Sequence, residues 1–485
     1  MSYTVAFVGS LLLAIVVSKY LKTSESKLDA IPTVGPNGLF SYYWGAFKYN
    51  LRAHEIIQEG YSKYKGKAFK IANWSGWDII VSGPMLIEDM KKAPDGHIST
   101  IGAVSCNLKV DRTTTYQVAQ LARSLDAQLA DIRDEITTSF VDVLQLKGNE
   151  WVSIPAMDAI HQIICRTSNR ALVGLPLCRD PEWIALNLQI TTDVIKEAVA
   201  THLLPSFMAP YVVIPFMTEA GSLGRGIKIL RPIVEEHQRC LDEYGSGWAE
   251  KPNNMLSWIM DEAKGEERSV RNLAIRIMTI NFTANSDSSM VFTHALFYLA
   301  AYPQYINQLR KEVETVIEED GWSKDALARM HKVDSFLKET LRLECIGFVS
   351  MLRKAMKDFT FSDGTVVPAG SLISIASFPT HLDNEIYNNP NAFEPFRFAP
   401  EDGEGINPRN QMTSINSEYL PFGLGRHACP GRFFISNVMK AMLAHIVVTY
   451  DTKLEDKGVR PANVTYGVMS SPNPKAKVVF RKRLP

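Results

Sequence analysis

The stretch Tyr419-Leu-Pro-Phe-Gly-Leu-Gly-Arg-His-Ala-Cys-Pro-Gly-Arg-Phe-Phe434 constrains this chain more than any other. It sets one thiol, Cys429, in a loop of glycine, proline and basic residues. An apolar run of helical character follows at once: Phe433, Phe434, Ile435, Val438, Met439, Met442 and Leu443. Glycines let backbone approach whatever the thiol touches. A helix starting just past the thiol turns its positive end toward the sulfur and favours thiolate over thiol. Such a thiolate suits a nucleophile, a zinc ligand or an axial haem ligand. The bland alternative is a buried free cysteine beside a turn. Zinc is poorly supported, because His427-Ala-Cys429 has no C-x-x-C or H-x3-H partner nearby. A nucleophile needs a base, and His427 lies two residues away.

Taken whole, Phe422-x-x-Gly425-x-His427-x-Cys429-x-Gly431 resembles the haem-binding loop of cytochromes P450, with histidine at a position that is often arginine. The resemblance implies a mainly α fold with small β-sheets and haem b (iron protoporphyrin IX) as cofactor. It makes Cys429 the axial ligand of the haem iron and Phe422 and His427 haem contacts.

The chain has 485 residues, 46% hydrophobic and 21% charged, which suits a globular protein with a large core. Lys+Arg and Asp+Glu both total 52, a balance that argues against a general nucleic-acid binder. The six cysteines have no framework spacing and read as free thiols in a reducing compartment.

Tyr3 to Ser18 is uncharged and rich in Val, Leu and Ile, and Lys19, Lys22 and Lys27 follow. As a helix rising about 1.5 Å per residue it nearly spans a bilayer core of roughly 30 Å. No basic residue precedes the run and no A-x-A follows, which separates it from a cleaved signal. Residues 1–22 are therefore expected to form a single transmembrane anchor, with the bulk of the chain cytosolic by the positive-inside rule; a helix lying in the interface is the other option. Ile31-Pro-Thr-Val-Gly-Pro-Asn-Gly38 reads as a stiff, non-helical part of a connector over 23–38, leaving 39–485 as the haem domain.

Ala68–Trp74 and Asp78–Gly83 read as strands around a Ser75-Gly76 turn. Tyr116 to Val143 has the spacing of one amphipathic helix, and another follows Trp151 through Val173. P450s often carry a tryptophan that reaches a haem propionate; none stands between Asn107 and Asp131, so Arg112 or Arg123 is the expected substitute. Leu203 to Met217 is apolar with three prolines, either a buried irregular segment or, by resemblance, part of a mobile cover over the pocket that meets the membrane.

Asn272 to Tyr302 is the longest helical candidate, closed by Pro303. Its middle, Phe282-Thr-Ala-Asn-Ser-Asp-Ser-Ser-Met290, is strangely polar. Serine, asparagine and aspartate weaken helices and bond to backbone or water, so a kink is expected there. P450s place an acid–alcohol pair at such a kink to pass protons to bound oxygen. One register makes Asp287 the acid and Ser288 the alcohol; another puts Ser286 and Asp287 in those places. Both lack the usual threonine. A helix facing a polar cavity, with no proton relay, remains the other explanation.

Phe336-Leu-Lys-Glu-Thr-Leu-Arg342 sets Glu339 and Arg342 at i, i+3 on one helical face, alone a minor pair worth a few tenths of a kcal/mol. Phe393-Glu-Pro-Phe-Arg-Phe398 supplies Arg397. The resemblance makes Glu339, Arg342 and Arg397 a buried structural triad behind the thiolate loop. It also gives Arg353 and His427 to the haem propionates, and puts Val349 and Met351 near the pocket, where core packing explains them equally well. Gly364 to Ile375 reads as strands and turns between these motifs.

The segments around Arg166, Pro379-Thr-His381 and Cys429–Phe434 are most similar to fungal P450s of secondary metabolism. The resemblance implies a haem-thiolate monooxygenase of the endoplasmic reticulum membrane. It would insert one oxygen atom from O2 into a lipophilic terpenoid, steroid or alkaloid. No Gly-rich dinucleotide fingerprint follows a strand, so electrons are expected from a separate NADPH–cytochrome P450 reductase. A P450-fold isomerase or peroxide-using enzyme, a non-catalytic haem protein and a thiol hydrolase are the competing readings.

Overall fold

The computed structural model describes residues 26–36, 38–74, 76–103, 112–203, 221–245, 247–401, 407–455 and 458–484. One helix, Val270–Ala301, runs through the middle of the body. Ser269 caps it by accepting the Asn272 N–H at 3.4 Å, and Pro303 follows its last turn. It packs against the helices Ala156–Leu172, Pro181–Leu203, Ser222–Tyr244 and His331–Leu343. The terminal helix Arg432–Thr449 packs against Leu125–Leu144, Ile306–Asp320 and His331–Leu343. Their apolar faces share the largest core, in which Phe292, Phe297, Phe336, Val438 and Leu443 are removed from solvent. The terminal helix has the length and mean hydropathy, 1.2, of a membrane span, but 67% of it is buried in this core. It is the one such helix among the described residues, and the expected anchor over 1–22 lies outside them.

A six-stranded sheet lies beside the helices, in the order Thr33–Val34, Ala68–Asn73, Gly76–Val81, Leu372–Ile375, Ser350–Ala355, Ile98–Ser99. The expected hairpin is antiparallel, with Ala68 opposite Val81 and Asn73 opposite Gly76. The inward side chains of this sheet, among them Ile79, Val81, Met351 and Ile373, form a second core with Leu420 and Leu424. Those two leucines belong to the cysteine loop. The sheet therefore grips the start of the loop, and the terminal helix grips its end.

Three expectations change. Thr33–Val34 pairs in parallel with Lys70 and Ile71, so part of the connector is a strand of the sheet rather than a free spacer. The helix expected over Tyr116–Val143 is two, Arg112–Arg123 and Leu125–Leu144, because Ser124 leaves helical geometry at φ −88°, ψ 4°. The long helix is continuous through its polar run. Ser289 Oγ donates to Asn285 O at 2.5 Å and Thr293 Oγ1 to Ser289 O at 2.7 Å, so these hydroxyls bond back without opening the helix. Of Leu203–Met217, all but Leu203 lies outside the described residues.

Candidate active site

Two glycines shape the cysteine loop. Gly423 and Gly425 hold φ of 65° and 70°, where L side chains are strained. A Cβ on Gly425 would also stand 2.9 Å from Lys91 Cγ and 3.2 Å from Lys91 O. The loop then closes as the Cys429 N–H donates to Phe422 O at 2.8 Å. Arg432, the first residue of the terminal helix, donates from Nη1 to Cys429 O at 2.8 Å. Burial pushes the Cys429 thiol above its ordinary value, the Gly431 and Arg432 amides pull it down, and the Asp287 charge adds to the rise. The expected bias toward thiolate is thus present at the helix start but overridden by desolvation.

Behind the loop, Glu339 and Arg342 are fully buried. Arg342 donates from Nε to Glu339 Oε2 at 2.7 Å and from Nη2 to Oε1 at 2.8 Å. Its Nη1 donates to the carbonyls of His381 and Pro390 at 2.6 and 2.7 Å. Arg397 Nε reaches Glu339 Oε1 at 3.1 Å, and its other nitrogens bond to the carbonyls of Asn388 and Asn389. The three residues named from sequence therefore meet around one carboxylate. Arg166 likewise ends in a structural cluster, donating to Glu135 and Asp142 at 2.7 and 2.8 Å.

The long helix divides its polar residues between two sides. Asn285 Nδ2 donates to Asn281 Oδ1 at 3.2 Å, Asn169 Nδ2 to the same atom at 2.7 Å, and Trp183 Nε1 to Asn169 Oδ1 at 2.7 Å. That side holds a neighbouring helix. Thr283 and Asp287, one turn apart, carry exposed surface instead. Burial nevertheless pushes the Asp287 carboxyl up to about 6. The Asp287 charge also raises the Cys429 thiol, so the carboxyl lies within electrostatic reach of the cysteine loop. Ser288 is buried at 6% exposure and lies off that open face. Thr283 Oγ1 is turned back, donating to Thr279 O and Ile280 O at 3.2 and 3.0 Å.

Arg353 is 4% exposed, and its one hydrogen bond among the described residues runs from Nη1 to Leu352 O at 2.9 Å. Burial lowers its pKa to about 10. His427 does not stand in the same condition: its Nε2 lies 2.6 Å from Asp95 Oδ1. Asp95 follows the helix Pro84–Lys92, and nothing in its local sequence announces it as a partner for His427. Arg123 is exposed, and the Arg112 side chain lies outside the described residues. The helix between them meets the loop through Val118, 3.4 Å from where a Cβ on Gly431 would stand.

A family sequence profile described as Cytochrome P450 matches residues 108–480. The chain belongs to the cytochrome P450 family. A cytochrome P450 monooxygenase of Postia placenta is 40% identical over 480 residues, covering 96% of each chain. One from Ganoderma lucidum is 35% identical over 465 residues, covering 92% of this chain and 91% of its own. An ent-kaurene oxidase of Gibberella fujikuroi is 28% identical over 481 residues, covering 95% and 94%. The P450 is an oxidoreductase of the monooxygenase family, and haem b is the family's cofactor. The residues present fit that group. A half-buried thiol in a closed glycine loop and a buried guanidinium whose one described hydrogen bond is to a backbone carbonyl are what a haem iron and a haem carboxylate require.

Proposed function

We propose that this P450 is a haem-thiolate monooxygenase inserting one oxygen atom from O2 into a lipophilic small molecule of terpenoid, steroid or alkaloid type in secondary metabolism. The observation that carries the reading is the Cys429 loop, closed by the Cys429 N–H on Phe422 O and backed by Arg342 and Arg397 meeting on the Glu339 carboxylate. Cys429 would hold the iron and Arg353 a propionate, with Phe422 fixing the loop through its carbonyl bond to Cys429 N. Haem supplies the iron at which O2 is activated. The protein's part is proton handling and exclusion of water. Asp287, on the open face, holds and releases the proton at its carboxyl; Ser288, buried and off that face, supports the helix. This favours the register in which Asp287 takes the alcohol's place. Glu339, Arg342 and Arg397 keep the loop in position.

Electrons would come from a separate NADPH–cytochrome P450 reductase. Residues 1–22 would anchor the chain in the endoplasmic reticulum membrane, 23–38 connect, and 39–485 carry the haem. Trp44, Phe47 and Leu51 support a membrane location: they recur at helical spacing on Leu39–Lys63 and are exposed at 54%, 43% and 60%. The relatives named ent-kaurene oxidase support the terpenoid end of the substrate range.

A second reading has its own support. Thr283 has its hydroxyl tied to backbone and Ser288 is buried, which leaves Asp287 without a free alcohol one turn away. A peroxide-using enzyme or a P450-fold isomerase needs no such relay. The deciding experiment reconstitutes the full chain with reductase, NADPH and isotopically labelled O2 against a terpenoid panel. Labelled product that requires reductase supports the monooxygenase; turnover with peroxide alone, and none with reductase, supports the second reading.

A further inference from the structure

We infer that His381 is a positioning residue for the thiolate, fixing the start of the Cys429 loop to the Glu339–Arg342 pair. The inference rests on the reading of Cys429 as the iron ligand. His381 ends the single turn Ser377–His381 and is completely buried. Two backbone groups and the Cys345 thiol, 3.0 Å from Nδ1, surround its ring nitrogens. The Leu420 N–H points at Nε2 from 3.0 Å, so Nε2 must accept. Nδ1 must then carry the proton, which it shares between Arg342 O at 3.1 Å, the stronger acceptor, and Cys345 Sγ at 3.0 Å. Arg342 returns the bond, donating from Nη1 to His381 O at 2.6 Å. The Tyr419 ring stacks on the imidazole at 5.8 Å.

A continuous path follows. Arg342 O accepts from His381, and His381 accepts from Leu420 N–H. Leu420 O accepts from Gly423 N at 3.0 Å, and Phe422 O accepts from Cys429 N at 2.8 Å. Every link is a hydrogen bond of ordinary length, and each ends on backbone of the loop or of the Glu339–Arg342 helix. Burial first, and then the Arg342 charge, push the imidazole down to about 3. It stays neutral at any pH where the enzyme works, so the acceptor for Leu420 is never lost. Ligands held by partners outside the metal's own contacts keep their orientation, and losing such a partner typically costs about 10–100-fold in metal affinity or activity. The rigid ring suits the task because it spans donor and acceptor with two torsions. Asparagine reaches the Arg342 carbonyl but stops short of Leu420. Glutamine places an oxygen where Nε2 stands, on a looser stem.

The test uses the full-length holoenzyme and three measurements: haem per chain, thermal midpoint, and the rate at which the red-shifted carbon monoxide band of the reduced enzyme decays to the unshifted band. In His381→Asn we expect haem near the parent level but decay about 10-fold faster. His381→Gln should fall between the two. Parent-like decay in both variants overturns the inference. So does equal loss of haem and midpoint in both, with decay unchanged in what remains, since that is a purely structural role. Should His381→Asn fail to fold, His381→Gln decides: decay faster than the parent at full haem supports the inference, and equal decay overturns it. Cys429→Ala separates the underlying reading. If that variant keeps the red-shifted band, the assignment of Cys429 fails on its own, whatever His381 does.

Discussion

Asp287 lies near enough to Cys429 that its carboxylate raises the proton affinity of the thiol. The acid belongs to the long helix and the thiol to the loop before the terminal helix, so this coupling joins two elements far apart in sequence.

Asp287→Asn should cut product formation about 100-fold, the lower range for a lost proton-transfer group, while NADPH consumption continues. Ser288→Ala should stay near the parent, because Ser288 is buried away from the open face. Equal losses in both variants would return the acid–alcohol pair to the Asp287–Ser288 register. The pH dependence has a sign. Burial raises Asp287 from the ordinary carboxyl value to about 6, so its proton-loaded form is populated below about 6 and lost as pH rises through it. Product formed per NADPH should fall across that window in the parent and lose that limb in Asp287→Asn. The same shift carries a stability penalty that is absent below the ordinary carboxyl range, grows toward about 6 and is constant above it. Asp287→Asn should therefore raise the apoprotein's midpoint at neutral pH and not in strong acid.

The triad has a built-in order of severity. Glu339 and Arg342 are fully buried, whereas Arg397 keeps 10% exposure. Glu339→Ala leaves two guanidiniums facing each other without their shared anion, and removing one partner of a buried pair costs about 3–5 kcal/mol. Arg397→Ala leaves Glu339 still bidentate to Arg342. Chemical denaturation of the purified holoenzyme should rank Glu339→Ala as the larger loss, with haem released at lower denaturant. The reverse ranking would sink the proposed role of Glu339 as the shared centre.

Much of this was legible in the chain, for physical reasons that differ by residue. The cysteine loop and Glu339–Arg342 are local patterns, and local spacing survives folding unchanged. Arg397 was legible through the resemblance, and the structure brings it to Glu339 across fifty-eight positions. What sequence hid was mostly orientation. Nothing in Asn285-Ser-Asp-Ser-Ser289 tells which side of the helix meets Asn169 and which meets open space. The polarity that suggested a kink is absorbed by Ser289 and Thr293 bonding back to the helix. His427 Nε2 also meets Asp95, 332 positions away, and a lone acidic residue carries no signal of such a pairing. His381 stood in a segment noticed only for its family likeness, and its bonds to Arg342 and Leu420 need three dimensions to see.

Trp44, Phe47 and Leu51 give a prediction about the membrane. All three point outward, and Lys48 on the same stretch lies 5.4 Å from the Trp44 ring centroid. Aromatic and basic side chains together suit the lipid interface. A chain lacking residues 1–22 should keep partial binding to anionic vesicles, measured by co-sedimentation. Changing the three residues to serine should remove most of it, since a buried large apolar side chain contributes about 1.5–3 kcal/mol. Unchanged binding in the triple variant would rule this face out.

Arg353 offers a test in which one substitution should act in opposite directions on two states of the protein. Its guanidinium is 4% exposed, and its one described hydrogen bond runs to the Leu352 carbonyl. Burial lowers its pKa to about 10, the signature of a charge held where water solvates it poorly. Replacing it with methionine keeps much of the volume and removes the charge, so the apoprotein of Arg353→Met should melt no lower than the parent, and higher if desolvation dominates. In the holoenzyme the same change removes the cation proposed to meet a haem carboxylate. A charged hydrogen bond contributes about 1.5–3 kcal/mol, which is more than 10-fold in affinity. Transfer of haem from the P450 to an excess of apomyoglobin should therefore run at least 10-fold further for Arg353→Met than for the parent. If apoprotein stability falls while haem retention is unchanged, Arg353 serves the packing of Ser350–Ala355 and not the cofactor.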